Sequence, residues 1–368
     1  IGSGGKTITF GGNSDMVPDL VWVKRRNEAR SHQLYNSVIG WAKANYSDLN
    51  NEVGNIPEGV TAVTSDGFTV GNNGGVNESS DTYVAWCLKA GGAPSADNTG
   101  DRTPTNNSVM KNDAAVTTSN FFAAADIYPA RMSIASHGGF AIGTYAGNAS
   151  GGSSAQTIAH GLGAVPDIIL QKQTDAAGQD WNMYHIGNHA GSNDPQDYDL
   201  SLNSSAAQDD NATKWNDTAP TSTLFTVGTS GGVNGSGKTF LFYLFKRTPG
   251  LIGIGSYLGN GNADGPYVVV DDGTSSGFKP AWFMSKQITD DGYNWQVTDA
   301  ARDPENPLGY NLSPNLDGTD GDGSGTYMDF TGNGVKIRTS SPQWNASGKT
   351  YIYLAFAETP FGLNNRAR

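Results

Sequence analysis

Leu224-Phe225-Thr226-Val227-Gly228, followed by Val233-Asn234-Gly235-Ser236-Gly237-Lys238-Thr239-Phe240-Leu241-Phe242-Tyr243-Leu244-Phe245, decides how the chain is read. A short alternating run gives way to a Gly/Asn/Ser connection and then to an unbroken aromatic and aliphatic run. The chain repeats the pattern at Gly67-Phe68-Thr69-Val70-Gly71 with Val76–Leu88, and at Gly334-Val335-Lys336-Ile337-Arg338 with Trp344–Phe356. Alternation marks a half-buried strand, and the apolar run marks a strand covered on both faces. Asn and Ser in the connection suit turns. The pattern predicts three hairpins, each the place where one unit buries its core.

Working outward, Thr9–Asn13, Thr144–Asn148 and Ser256–Asn260 open the three units. Next come Pro18-Asp19-Leu20-Val21-Trp22-Val23-Lys24, Pro166-Asp167-Ile168-Ile169-Leu170-Gln171-Lys172 and Pro280-Ala281-Trp282-Phe283-Met284-Ser285-Lys286. Each is a proline, a strand and a lysine at one offset; a strand's first residue is a place where a sheet accepts proline. A third strand follows at Leu34-Tyr35, Trp181–Tyr184 and Trp295–Val297. The expected fold is all-β, with three successive antiparallel β-sandwich-like repeat units, the first abbreviated. The units span 1–90, 142–250 and 251–368, the last with a C-terminal tail, and 91–141 reads as a linker or surface excursion. Ala155–Leu162 and Pro266–Val270 have no obvious counterpart in the first unit, so that strand is expected to be lost or to lie upstream. Ile1-Gly2-Ser3, with no initiator Met, reads as a fragment or a processed end.

Composition agrees with this reading. Glycine is high at 49 residues and charged residues reach only 16%, with no long run of helix formers. A net charge of −12 argues against a nucleic-acid partner, because phosphate binding needs a basic surface. No apolar run reaches membrane-spanning length, so membrane insertion is not expected. Cys87, the sole cysteine, sits in an apolar strand and forms no internal disulfide.

The repeat resembles a module of structural proteins in marine tailed phages, in proteins of the tail-fibre and head-fibre kind. The phrases that carry the resemblance are Trp215-Asn216-Asp217-Thr218-Ala219-Pro220-Thr221-Ser222, Tyr257-Leu258-Gly259-Asn260-Gly261 with Ala263–Pro266, and Ala355–Phe361. It spans nearly the whole chain, and the first unit departs from it by lacking the Trp-Asn-Asp-Thr segment. It implies a virion surface component, fibre-like or capsid-decorating, whose partners are copies of itself and other virion proteins. By analogy with phage fibres it implies a trimer. The alternative is an adhesion module that binds a host surface glycan or receptor, with a polysaccharide hydrolase ranked below both.

No catalytic residue is assigned. Glycoside hydrolysis calls for paired carboxylates across a cleft, and the second unit holds no Glu at all. Trp41, Trp215 and Trp344 fall near loops and are the candidates for stacking on sugar rings. Asp317, Asp320 and Asp322 form a candidate structural-calcium loop, although the twelfth position is Thr331 rather than a bidentate Glu. His185 and His189 have metal-like spacing in a Gly-rich loop with no third ligand. Phe121, Phe122, Ile127, Tyr128 and Phe361 are the expected contacts to a neighbouring chain.

Overall fold

A computed structural model describes residues 4–12, 15–148, 154–189 and 194–360. Strand dominates it; the described residues hold only three α-helices, each of four residues, and one short 3-10 turn. Each unit pairs a main sheet with a smaller sheet facing it. In the second unit the main sheet runs from an opening strand, Phe140–Ala146, to the closing strand Thr239–Phe245, the proline-led strand Ile168–Gln173 and the third strand Asn182–His185. The third unit repeats that order with Ile252–Leu258, Thr350–Ala357, Pro280–Gln287 and Gln296–Asp299. The first unit has the closing strand Tyr83–Leu88, then Leu20–Arg25 and Gln33–Asn36. All these pairs are antiparallel.

The expected hairpins are not hairpins. Gly67–Val70, Leu224–Val227 and Gly334–Ile337 cross to the smaller sheets, where they pair with Lys6–Thr9, Gln156–Ala159 and Tyr267–Val269. The burial pattern explains why. An alternating strand has one core face and suits an outer layer, whereas the closing strand is apolar on both faces and needs cover above and below. What turns the chain between layers is a buried asparagine, Asn77, Asn234 or Asn345. The Asn234 side chain donates to Gly228 O and accepts from Asn148 N–H. The Asn345 amide donates to Thr339 O and Asn262 O, and its Oδ1 accepts from Asn260 N–H.

The first unit therefore keeps the strand that seemed lost: Lys6–Thr9 is the counterpart of Gln156–Ala159. Among the described residues it shows no opening strand, and Thr9–Asn13 does not correspond to Thr144–Asn148; Asn13 itself lies outside the described residues. The stretch 91–141 is more than a linker. Its strands Val109–Lys111, Ala114–Ala115 and Arg131–Ile134 extend the second main sheet beyond the opening strand.

The three units close into a ring. Val53 N–H donates to Thr174 O at 2.9 Å, Gln208 N–H to Ile288 O at 3.2 Å, and Asp320 N–H to Arg26 O at 3.1 Å. Asn50 O accepts from Gly178 N–H at 2.9 Å, Ser205 O from Gly292 N–H at 3.0 Å, and Asp317 O from Arg30 N–H at 2.8 Å. Thr174, Ile288 and Arg26 each lie two residues past the repeated lysine. The same bonds thus join first unit to second, second to third and third to first. Alternate residues on each main sheet face a core shared by all three, built from Leu20 and Trp22, Ile168 and Leu170, Trp282 and Met284, with Tyr243, Phe245 and Leu354. The other faces form three private cores with the small sheets. At about 1.5–3 kcal/mol per buried large apolar side chain, the shared core makes the ring one cooperative body.

Candidate functional site

Equivalent positions of three units converge on the ring's centre, and there the packing is incomplete. A cavity of about 280 Å³ is walled by Trp22, Trp86, Leu88, Leu170, Phe245, Trp282 and Phe356, with Asp299 as the acidic group on its wall. Trp22, Trp86 and Trp282 form a triangle with ring centroids 5.4, 6.0 and 6.5 Å apart. Such an apolar hollow with a single carboxylate suits an apolar side chain or ligand better than a sugar, which needs several polar partners.

The cavity lies against the first unit, where the described residues form one main-sheet strand fewer beside the closing strand. In the second and third units the opening strand covers the closing strand and sends Phe140 and Ile142, or Ile252 and Ile254, into the shared core. Nothing among the described residues does so for Tyr83–Leu88, which is an edge of its sheet. Trp86 and Leu88 are accordingly only partly buried. Burial pushes the Cys87 thiol on the same strand up to about 12, which keeps it protonated and unreactive near neutral pH.

Beyond the apolar residues, each proline-led strand puts its lysine on the same face. Lys24, Lys172 and Lys286 are buried, and their Nζ atoms donate to the carbonyls of Arg25, Gln173 and Gln287 at 2.6, 2.7 and 2.6 Å. Desolvation pushes each amine down to about 8, partly offset by Asp48, Asp317 and Asp320 near Lys24, by Asp180 and Asp175 near Lys172, and by Asp291 near Lys286. Two of the lysines also touch the preceding unit in the ring: Lys24 reaches Asp317 O at 3.2 Å and Lys286 reaches Ser205 O at 3.4 Å. These two tie ring interfaces together, and none of the three lines the cavity.

A third set of equivalents sits where each third strand ends. Asn36 donates to the Tyr243 hydroxyl at 3.1 Å, His185 Nε2 lies 3.1 Å from Tyr353 O, and Asp299 accepts from the Trp86 indole at 3.2 Å. Each links its unit to the closing strand of the next. Burial pushes His185 down to about 4, and its Nδ1 accepts from Gly187 N–H, so both ring nitrogens are engaged and the metal-like spacing to His189 has no metal to serve.

The residues singled out from sequence are dispersed, not gathered. Trp215 and Trp344 are fully buried, at 2% and 1% exposure, and cannot stack on a sugar. Their place near loops misled because each sits in a short helix, Ala212–Trp215 or Pro342–Asn345, with its indole turned into a private core. Trp41 is half-buried against the first unit's core. Asp320 is buried, with Oδ2 2.5 Å from Arg26 Nε, so its carboxylate serves an ion pair rather than calcium. Asp322 accepts from Ser324 N–H in a local turn, and Asp317 contributes its backbone carbonyl to the ring. No cluster of three His, Cys, Asp or Glu able to hold a metal is found among the described residues.

Phe122 and Ile127 are buried in the second unit's private core, with Phe121 and Tyr128 packed against it. Phe122 and Ile127 are thus taken up within the chain, whereas Phe121 and Tyr128 keep part of their surface exposed; Phe361 lies outside the described residues. Among the described residues no helix is long and apolar enough to cross a membrane.

The family DUF7483, a domain of unknown function, matches residues 1–113 and again residues 111–360. No curated protein and no solved structure matches the chain.

Proposed function

The chain belongs to the DUF7483 family, and from its own residues we propose that it is a structural component of a phage virion surface, fibre-like or capsid-decorating, and not an enzyme. The observation that carries this reading is the closed ring. Three repeats bury their cores against one another through equivalent contacts, leaving a rigid body whose loops can vary without touching the core. The phage-module phrases fall on residues that build the body: Trp215 in the second private core, Tyr257 and Ala355 in the third. Because three repeats already pack around one centre within the chain, attachment to other virion proteins and to further copies falls to the outer loops in this reading. The adhesion reading is weaker, because two of its three tryptophans are buried. Proteomic analysis of purified particles, with immunogold labelling, tests the proposal. Detection at stoichiometric copy number on the particle surface supports it; presence only in lysate and never on particles overturns it.

A further inference from the structure

We propose that the central cavity binds one neutral, largely apolar small molecule, the size of two fused rings, that carries a hydrogen-bond acceptor for the Trp282 indole N–H. The inference is independent of the virion reading. Its first support is size and lining. At about 280 Å³ the cavity is roughly twice the apolar cavity of about 150 Å³ that suffices for benzene. Its walls come from all three units: Trp22 and Leu88 from the first, Leu170 and Phe245 from the second, Trp282 and Phe356 from the third. Packing between the units sets the shape, so a ligand meets a site that is already formed. Water is a poor occupant, because it needs several polar partners and the wall is almost wholly apolar.

The second support is the charge state of the wall. Asp299 Oδ1 accepts the Ala301 and Arg302 backbone N–H groups at 3.1 and 2.9 Å. Its Oδ2 accepts the Trp86 indole and Arg302 Nε at 3.2 and 2.6 Å. The carboxylate is therefore fully engaged within the protein and has no strong bond left for a ligand cation. A ligand anion would sit beside that carboxylate with no partner of its own. Either charge would be buried at a cost, so the fitting occupant is neutral.

The third support is a difference within the tryptophan triangle. Trp22 donates its indole N–H to His32 Nδ1 at 3.0 Å, and Trp86 donates to Asp299. Trp282, only 6% exposed, has no hydrogen-bond partner for its Nε1. A buried donor without an acceptor is destabilising, and a ligand oxygen removes that cost. A Phe, Leu or Ile side chain from a partner protein would fill the space but bring no acceptor. A ketone, ester or ether oxygen on a compact ring system does both, and this selects a small molecule over a protein plug.

The test titrates the full chain with three probes of one shape, substituted at the same ring position: methyl naphthyl ketone, isopropylnaphthalene without the oxygen, and naphthoate with a charge. Calorimetry gives affinity and stoichiometry, and a raised melting temperature reports binding to the folded ring. The expected result is one ketone per chain, bound about tenfold tighter than the hydrocarbon and about a hundredfold tighter than the carboxylate. Trp282→Phe keeps an aromatic wall without the N–H and should bring the ketone down to the hydrocarbon's affinity. Leu88→Trp enlarges a position where the other two units carry Phe245 and Phe356, and should abolish binding of all three probes. No ketone binding to wild type overturns the proposal, as does equal binding of the naphthoate. A ketone preference that survives in Trp282→Phe overturns the assigned acceptor contact. Affinity unchanged in Leu88→Trp places the probe elsewhere on the chain and also overturns it. Self-association of the chain that the ketone reverses overturns it in favour of a side chain from a second copy.

Discussion

The Asp299 carboxylate accepts the Trp86 indole N–H at 3.2 Å and, through the same Oδ2, takes Arg302 Nε at 2.6 Å. Trp86 belongs to the first unit and the other two to the last, so this is where the units farthest apart in sequence become neighbours. Arg302 also donates to Val297 O at 2.8 Å, and its guanidinium lies 5.8 Å from the Trp86 ring. Asp320, 3.8 Å from Arg302 and 2.5 Å from Arg26, finishes the clasp. The two other interfaces join units adjacent in the chain and use neutral contacts at the equivalent positions. The interface with no covalent linker nearby is the one with a buried charged network.

Asp320→Ala should destabilise the ring by about 3–5 kcal/mol, because it leaves the buried Arg302 and half-buried Arg26 with less compensation. Lys279→Ala breaks an exposed pair with Glu358 at 2.8 Å and should cost under about 1 kcal/mol. Urea unfolding of the two variants beside wild type checks this. Equal midpoints would show that the clasp contributes nothing to closure.

Asn345→Ala should cost about 1–3 kcal/mol in all, because the buried amide's bonds to Thr339 O, Asn262 O and Asn260 N–H are lost together. Asn216, a surface helix cap at φ 55° whose side chain bonds within its own loop, serves as the control as Asn216→Gly, which accepts the left-handed backbone, at about 0.5 kcal/mol. Thermal melting of both variants is sufficient. A drop no larger for Asn345→Ala than for Asn216→Gly would mean the layer crossing is held by something else.

The layered all-β character was legible because strand periodicity and turn residues are local signals, and three copies reinforce one another. The crossing of Leu224–Val227 to the smaller sheet was not. A turn-rich connection looks the same whether it returns to its own sheet or to the facing one, and Asn234 reads as a turn residue although its partners are Gly228 and Asn148. The lysine repeated at one offset was visible as a pattern, but its burial was hidden. Lys24, Lys172 and Lys286 lie near strand ends as solvent-facing lysines do, and nothing in the sequence says that the preceding unit in the ring reaches Lys24 and Lys286. Trp215 and Trp344 failed as glycan candidates for a related reason, since closeness to a loop in sequence says nothing about which way an indole turns.

The buried lysines give the ring a basic-side pH dependence. Each folded amine titrates near 8, against 10.5 for an ordinary solvated lysine. Between those values the unfolded chain holds more protons than the folded one, so these groups make stability rise with pH from about 8 towards 10. The raised thiol of Cys87 and the raised tyrosines act oppositely. The readout is therefore the difference between wild type and Lys172→Met. Urea midpoints at pH 7.5 and 9.5 should rise more for wild type than for the variant. An identical change in the two would show that Lys172 titrates as an exposed amine.

Asp199 should give the opposite slope on the acid side. Its strand, Tyr198–Ser201, lies near the outer edge of the second main sheet, paired with Asp209–Asp210, yet its carboxyl is buried. Burial pushes it up to about 7, with the Lys214 charge, the Trp215 indole and the Met183 N–H pulling it back only in part and the Asp209 charge adding to the rise. In the folded state the proton is held until about pH 7, while in the unfolded chain it is lost near 3.8. This group's contribution is therefore fully favourable below pH 4 and is lost as pH climbs to 7, where a carboxylate must sit without adequate solvation. Asp199→Asn keeps the side chain's size and a carbonyl oxygen but removes the charge. At pH 8 it should stabilise the protein by on the order of 2–4 kcal/mol, since each pK unit is worth about 1.4 kcal/mol. At pH 4 it should change little. Urea midpoints of both proteins at pH 4, 6 and 8 measure the difference. A variant destabilised equally at all three would mean that Asp199 is ionised in the folded ring and that its charge is paired well enough to be an asset.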